Sequence, residues 1–210
     1  MELEFGTLKR EEIKEAVELA ARAFENYEYV VNFFPDLEER RKMLRSVIYR
    51  MGLAKFKRSH FLCARSGGKL VATAMINDPQ YKEPSPFQYI LHGWLLVYRK
   101  VNRHRLNDWI AMDVKAQKPC HDYQKTGQDI WYGSSLAVDP SIQGIGVGTR
   151  FHVFIEDYIR KHGGKQYVFF TNSKKNRALY TYFGYKVFDE CEIEYDGKKI
   201  GSWSMKKNLY

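Results

Sequence analysis

Residues 131–149 read WYGSSLAVDPSIQGIGVGT. The first eight alternate as a strand does, with Tyr132, Ser134, Leu136 and Val138 on one face and Trp131, Gly133, Ser135 and Ala137 on the other. Asp139-Pro140 stops the strand, because proline cannot donate to a ladder and restricts the residue before it. Gln143 to Thr149 then carry a glycine-rich turn straight into an amphipathic helical pattern, which ends at Gly163-Gly164. A strand, a glycine turn and a helix N-terminus together form an anion site. The first-turn amides have no partner in the helix, and the helix dipole favours negative charge there.

Three chemistries share such a loop. A P-loop closes its glycine run with lysine and Ser/Thr, whereas here Gly148 is followed by Thr149 and Arg150. A dinucleotide fingerprint needs a third glycine where this chain has Thr149. It also needs an acid after the next strand, which ends Phe170-Thr171-Asn172. The third chemistry matches better. Gln143-x-x-Gly146-x-Gly148, following Leu136-Ala137-Val138-Asp139-Pro140, resembles the pyrophosphate-binding motif of the GNAT superfamily of acyl-CoA-dependent N-acyltransferases. A second stretch, residues 165–188, reads KQYVFFTNSKKNRALYTYFGYKVF. Tyr167 to Phe170 make a short buried strand, and Asn176 to Phe183 a short helix stopped by Gly184. Asn176 through Tyr180, then Gly184-Tyr185, is similar to the family's Asn-x-x-x-Tyr and Gly-Phe signature. Two motifs in this order and separation are more specific than either alone.

The resemblance implies an α/β (α+β) fold: a mixed, mostly antiparallel sheet with a central splayed parallel strand pair and helices on both faces. It implies acetyl-CoA as acyl donor, with coenzyme A held by Leu136, Ala137 and Val138, by the loop Gln143, Gly144, Ile145, Gly146, Val147, Gly148 and Thr149, and by Asn176. Tyr180 would touch the coenzyme and serve as general acid. Tyr27, Tyr29, Tyr132 and Ser134 are the acceptor-site candidates. The family often uses a carboxylate on the central strand as base, through water; this chain has Ser134 and Ser135 there. Asp129, His121 and Glu194 are the remaining base candidates, with water alone as a further option. The acceptor is a small-molecule amine or a protein lysine. The rival is an acyl-CoA-binding module without turnover, or a nucleic-acid binder on the same fold.

Composition bounds these readings. A chain of 210 residues with 44% hydrophobic and 15% aromatic residues suits one domain, 1–210, with a full core. No apolar run has the length of a membrane span, and Met1-Glu2-Leu3-Glu4 lacks the character of a signal peptide. Cys63, Cys120 and Cys191 are scattered and odd in number, which points to reduced thiols in a cytoplasm and to no metal site. The net charge of +9 fits nucleic acid, an acidic partner or an anionic ligand, and coenzyme A with its phosphates is one such ligand. No basic run interleaved with aromatics forms a stacking platform for nucleic acid. Monomer and homodimer both remain open.

The rest of the chain reads in order. A helix spans about Arg10 to Phe24. Phe33 and Phe34 belong in the core. Asp36 caps a second helix, carrying Met43, Leu44, Val47, Ile48 and Met51, that ends near Gly52. His60–Arg65 and Lys69–Ile76 form a hairpin about Gly67-Gly68. An insert at about 79–129 holds helices near Phe87–Lys100 and Leu106–Lys118 and closes with Pro119 to Tyr123. The first is apolar nearly all round, which calls for burial on several sides or a partner. Tyr185–Tyr195 and Ile200–Tyr210 form a last hairpin about Asp196-Gly197.

Overall fold

The computed structural model describes all 210 residues. Its strands are β1 Glu4–Thr7, β2 His60–Ser66, β3 Lys69–Asn77, β4 Ile130–Val138, β5 Gln166–Thr171, β6 Lys186–Tyr195 and β7 Lys198–Asn208. Its α-helices are α1 Ile13–Phe24, α2 Glu28–Phe33, α3 Leu37–Lys55, α4 Pro86–Leu91, α5 Arg103–Gln124, α6 Val147–Lys161 and α7 Lys174–Tyr182. The strands form one sheet in the order β1-β2-β3-β4-β5-β7-β6. Only β4 and β5 pair in parallel. This is the mixed α/β fold that the two motifs imply. No helix is long and apolar enough to cross a membrane.

Helices cover both faces of the sheet. α6 presents Val147, Phe151, Ile155 and Ile159 to one face, against Leu62, Ala74, Trp131 and Tyr167. Each of the larger of these side chains contributes roughly 1.5–3 kcal/mol by leaving water. On the other face α1 packs over β2 and β3. There α2, α3 and α5 share a second core with Ile193 and Ile200, in which Phe33 and Phe34 are wholly buried. Both hairpins turn through left-handed residues, Gly67-Gly68 (φ 55° and 75°) and Asp196-Gly197 (φ 51° and 70°), as tight antiparallel turns demand.

Three boundaries differ from the sequence reading: at the ends of α3 and α5 a tertiary contact overrides a local signal, and between them a glycine breaks a helix read as continuous. Asp36 Oδ1 does accept from the Glu39 N–H at 2.7 Å, but α3 runs past Gly52 to Lys55. Gly52 lies where α3 meets α1: a Cβ there would sit 4.0 Å from Ile13 Cγ2. The first insert helix is not continuous. α4 ends before Gly93, which is left-handed (φ 80°), and a 3-10 helix follows over Trp94–Arg99. Most of its apolar side chains, Phe87, Ile90, Leu91 and Leu95 among them, are exposed, while Val97 is buried. α5 does not stop at Lys118 but continues through Pro119 to Gln124. Ala116, Cys120 and Gln124, four apart on one helical face, are all buried, which offsets the hydrogen bond that Pro119 removes.

A polar bolt ties α6 to the far half of the sheet. Glu156 accepts from Lys207 Nζ at 2.8 and 2.9 Å and from the Tyr185 hydroxyl at 2.9 Å, and Tyr185 in turn meets His152 Nε2 at 2.9 Å. Burial by itself would raise the Glu156 carboxyl, but contacts with His152, Lys207 and Tyr185 outweigh it and hold the group at about 2. A depressed carboxyl stabilises the fold fully above its unfolded value of 4.5 and loses that contribution as pH falls towards about 2. The stability gap between wild type and Glu156→Gln, read from urea midpoints, should therefore shrink across that window. A gap that stays constant there would mean that Glu156 is not held ionised by these partners.

Candidate active site

The site opens where β4 and β5 part. Their parallel pairing runs only from Ile130↔Gln166 to Gly133↔Phe169. Beyond it β4 stays with β3, and β5 stays with β7. The parting follows a bulge. Met75 pairs with Ser135 but Ile76 pairs with Gly133, so Ser134 is the extra residue on β4. The bulge inverts the alternation read from the sequence. Trp131 packs on the α6 face and Tyr132 on the α5 face, but past Ser134 it is Leu136 and Val138 that lie on the α6 side, with Ala137 against α1. Tyr132 therefore does not share a face with Leu136 and Val138, which corrects the expected pattern.

The parted edge of β4 is bare. The Asp139 N–H donates to the Val71 carbonyl on β3 at 2.9 Å. Neighbouring strand residues turn their backbone groups to opposite sides, so Ala137 also faces β3 while Leu136 and Val138 face the cleft. Val138 O accepts only a side chain there, Gln143 Nε2 at 3.2 Å. Two of the three strand residues expected to hold the coenzyme arm thus offer their backbone to the cleft, and Ala137 does not.

The glycine loop stands at the end of that edge. Asp139 sets its entry, with Oδ1 accepting from the Ser141 N–H at 2.9 Å and Oδ2 paired to Arg22 at 2.7 Å. Gly144 and Gly146 are left-handed (φ 87° and 84°), and beyond the adjacent residues no atom lies within 4 Å of where a Cβ would stand on either. The first conformation excludes most side chains; the second leaves the backbone open to close approach. Gly146 precedes α6 and supplies no side-chain cap, so the first-turn amides of Val147, Gly148 and Thr149 have no helical partner. Gln143, Gly144, Gly146, Gly148 and Thr149 line the cleft. The side chains of Ile145 and Val147 do not: the former is 63% exposed and the latter is buried under the sheet.

α7 forms the opposite wall. Ser173 caps it by accepting from the Asn176 N–H at 3.3 Å. Asn176 and Tyr180, four apart, share one helical face on the cleft. The Tyr180 ring meets Phe169 edge-on at 4.5 Å and lies 5.5 Å from His152, yet its hydroxyl bonds to no protein atom. Burial, with a smaller effect from Tyr27, pushes that hydroxyl up to about 12, so it keeps its proton at neutral pH.

The four acceptor-site candidates converge on the same cleft. Tyr27 Oη accepts from the Asn172 N–H at 2.9 Å and lies 3.3 Å from Thr171 Oγ1, which ties α2 to the end of β5. Tyr29 is buried, its hydroxyl donating to the Trp109 carbonyl at 3.5 Å. Tyr132 lies 4.4 Å from the His121 ring, and Ser134 is the bulge residue. Of the base candidates only His121 reaches the cleft, where burial is the main cause lowering its pKa. Asp129 sits at the foot of β4, 3.7 Å from Lys165, and Glu194 stands exposed on β6, so neither is placed to act.

Sequence reading missed a polar group at the end of the cleft that α4 and α5 wall. Glu83 accepts from Lys55 at 3.1 Å, from Tyr81 at 2.6 Å and from Tyr89. Its carboxyl lies below the usual range: burial opposes this, but Lys55 and the two phenols outweigh it. On α5, Gln117 Nε2 donates to Asp113 at 3.2 Å and Gln117 Oε1 lies 3.0 Å from His121 Nε2. The spacing Trp109, Asp113, Gln117, His121 was a visible signal, since residues four apart share a helical face. The whole cleft encloses about 1800 Å³. That exceeds the roughly 300–1,000 Å³ of a site for one drug-sized ligand and suits two substrates end to end.

A model of the acetyltransferase (GNAT) family matches residues 17–185, and the chain belongs to that family, whose acyl donor is acetyl-CoA. Among solved structures the chain is similar to a histone acetyltransferase HPA2 and related acetyltransferase from Corynebacterium glutamicum, at TM-score 0.65 and 16% identity, covering 100% of this chain and 98% of that one. It is similar to the ribosomal-protein-S18-alanine N-acetyltransferase of Escherichia coli, at TM-score 0.58 and 14% identity over 99% and 94% of the two chains. A PaiA N-acetyltransferase from Thermoplasma acidophilum, solved in complex with coenzyme A, matches at TM-score 0.55 and 12% identity over 99% of each chain. At such identities the likeness is one of fold. No curated protein matches the chain significantly in sequence.

Proposed function

We propose that this protein transfers an acetyl group from acetyl-CoA to a primary amine of a small molecule by direct attack, with Tyr180 as general acid. One observation carries the reading. The bare edge of β4 runs between an uncapped helix N-terminus at one end and a tyrosine hydroxyl without a protein partner, all in one continuous cleft.

Each part has a task. The amides of Val147, Gly148 and Thr149, with Gly144 and Gly146 clearing the approach, hold the pyrophosphate. The backbone of Leu136 and Val138 holds the pantetheine arm as an added strand would be held, and Asn176 flanks it. The bound thioester supplies an activated acyl carbon. The Leu136 N–H polarises its carbonyl, a task in which one well-placed donor is worth about 10²–10³ in kcat. Tyr180 gives its proton to the leaving sulfur, and the proton shed by the amine nitrogen restores it. His121 is the first residue to test as base. The acceptor end is walled by α4, the 3-10 helix and α5, which favours a small amine over a lysine on a folded protein.

Acetyl-CoA should raise the melting temperature. At about a hundredfold excess over Kd, mass action gives roughly 2.7 kcal/mol, or some 5–10 °C for a chain of this size. NAD and ATP should do less. Equal stabilisation by NAD would return the loop to dinucleotide binding.

A further inference from the structure

The acceptor chamber is mostly aromatic and apolar, yet it contains charged groups that coenzyme binding does not use. Lys55 is the buried cation there, and Glu83 holds it. Glu83 is itself fully engaged, by Lys55, Tyr81 and Tyr89. Asp113 differs. It lines the same chamber on α5, one helical turn from Trp109, and no lysine, arginine or histidine pairs with it. Its only hydrogen bond comes from the neutral Gln117 amide, at 3.2 Å, which orients the carboxylate without neutralising it. The next residue on that face, His121, is linked to Gln117 and adds no cation at neutral pH, since burial and Lys55 both hold it neutral. A carboxylate on an apolar wall is costly to ionise without a partner. Burial accordingly pushes Asp113 up to about 6, with Lys55 opposing.

We propose that Asp113 reads a second positive charge on the acceptor, and that the acceptor is a diamine-like cation: a reacting primary amine joined by an apolar spacer to a distant cationic group. This rests on the acetyltransferase reading above and names its substrate class. The spacer lies along the aromatic and aliphatic wall, where Tyr29, Trp109 and Met51 face the chamber. The distant cation meets Asp113, and the rings beside it add attraction through their faces. The reacting nitrogen stays at the splay, near Tyr27 and Tyr180. An acceptor with a carboxylate at its far end is repelled by Asp113 and finds Lys55 already held by Glu83.

Three acceptors of one length test this: 1,6-diaminohexane, hexylamine and 6-aminohexanoate, each with acetyl-CoA, read as thiol release. Wild type should favour the diamine over hexylamine by about tenfold or more in kcat/KM, and over the amino acid by about a hundredfold or more, as expected for losing or reversing a desolvated charge contact. The difference should lie mainly in KM, because the contact is the same in ground and transition states. In Asp113→Asn the preference should collapse to within about threefold, with hexylamine turned over as in wild type. A purely structural role for Asp113 would slow all three together. Hexylamine used as well as the diamine, or a preference that survives Asp113→Asn, would overturn the inference. So would stabilisation by acetyl-CoA with no turnover of any of the three. Absence of stabilisation by acetyl-CoA would sink the proposed function itself.

Discussion

Tyr180→Phe should lower kcat by about 10²–10⁴-fold, the usual worth of a positioned acid. The substitution removes one oxygen and keeps the ring. The ring's packing against Phe169 and His152 is unaffected, and the hydroxyl has no protein partner to leave unpaired. Fold stability and coenzyme affinity should therefore change little. KM for acetyl-CoA should move much less than kcat, because the contact with the leaving sulfur matters chiefly in the transition state. The loss should shrink for a donor with a more acidic thiol, which needs less help to leave. In wild type the group stays protonated until pH approaches about 12, so no alkaline fall in rate below that range belongs to Tyr180. An unchanged kcat in Tyr180→Phe would mean that water or another residue supplies the proton.

Gly146→Val should abolish measurable coenzyme stabilisation, a loss of more than about a hundredfold in affinity. Two effects combine. The residue sits at φ 84°, where a β-branched side chain is strained. On the proposed reading, the open space in front of it is where the pyrophosphate comes close to the amides of α6. Because nothing beyond its own chain neighbours lies within 4 Å of the missing Cβ, the valine meets no core atom. The far-UV spectrum should stay native, with a stability cost of about 1–3 kcal/mol from the dihedral. Wild-type binding of acetyl-CoA by this variant would place the coenzyme elsewhere.

What could be read from the sequence was local. The loop, its strand and its helix are adjacent in the chain, and glycines at 144, 146 and 148 announce a backbone that must stay open. Asn176 and Tyr180 are readable for the same reason: a helix brings residues four apart together. What could not be read depends on pairing. Trp131 to Val138 alternates without a flaw, and only the register against β3 reveals Ser134 as the extra residue. Its effect is to invert the downstream faces and leave the cleft edge bare. The end of α5 was misplaced because Pro119 is a strong local stop, and the burial of Cys120 and Gln124 that overrides it comes from distant strands. The spacing of Asp113 from Gln117 and His121 is legible, but that Asp113 and Glu83 face one cleft depends on how residues 79–129 fold over it, which no local pattern fixes.

The proposed function rests on one cleft joining a coenzyme thioester to an amine. Its most direct test is thiol release from acetyl-CoA across a panel of primary amines, with the mass of each amine followed in the same reaction. Release should depend on both substrates and be matched one for one by acetylated amine. Stabilisation by acetyl-CoA with no amine in the panel acetylated above the uncatalysed rate would contradict it, and would leave a protein that holds the coenzyme without using it.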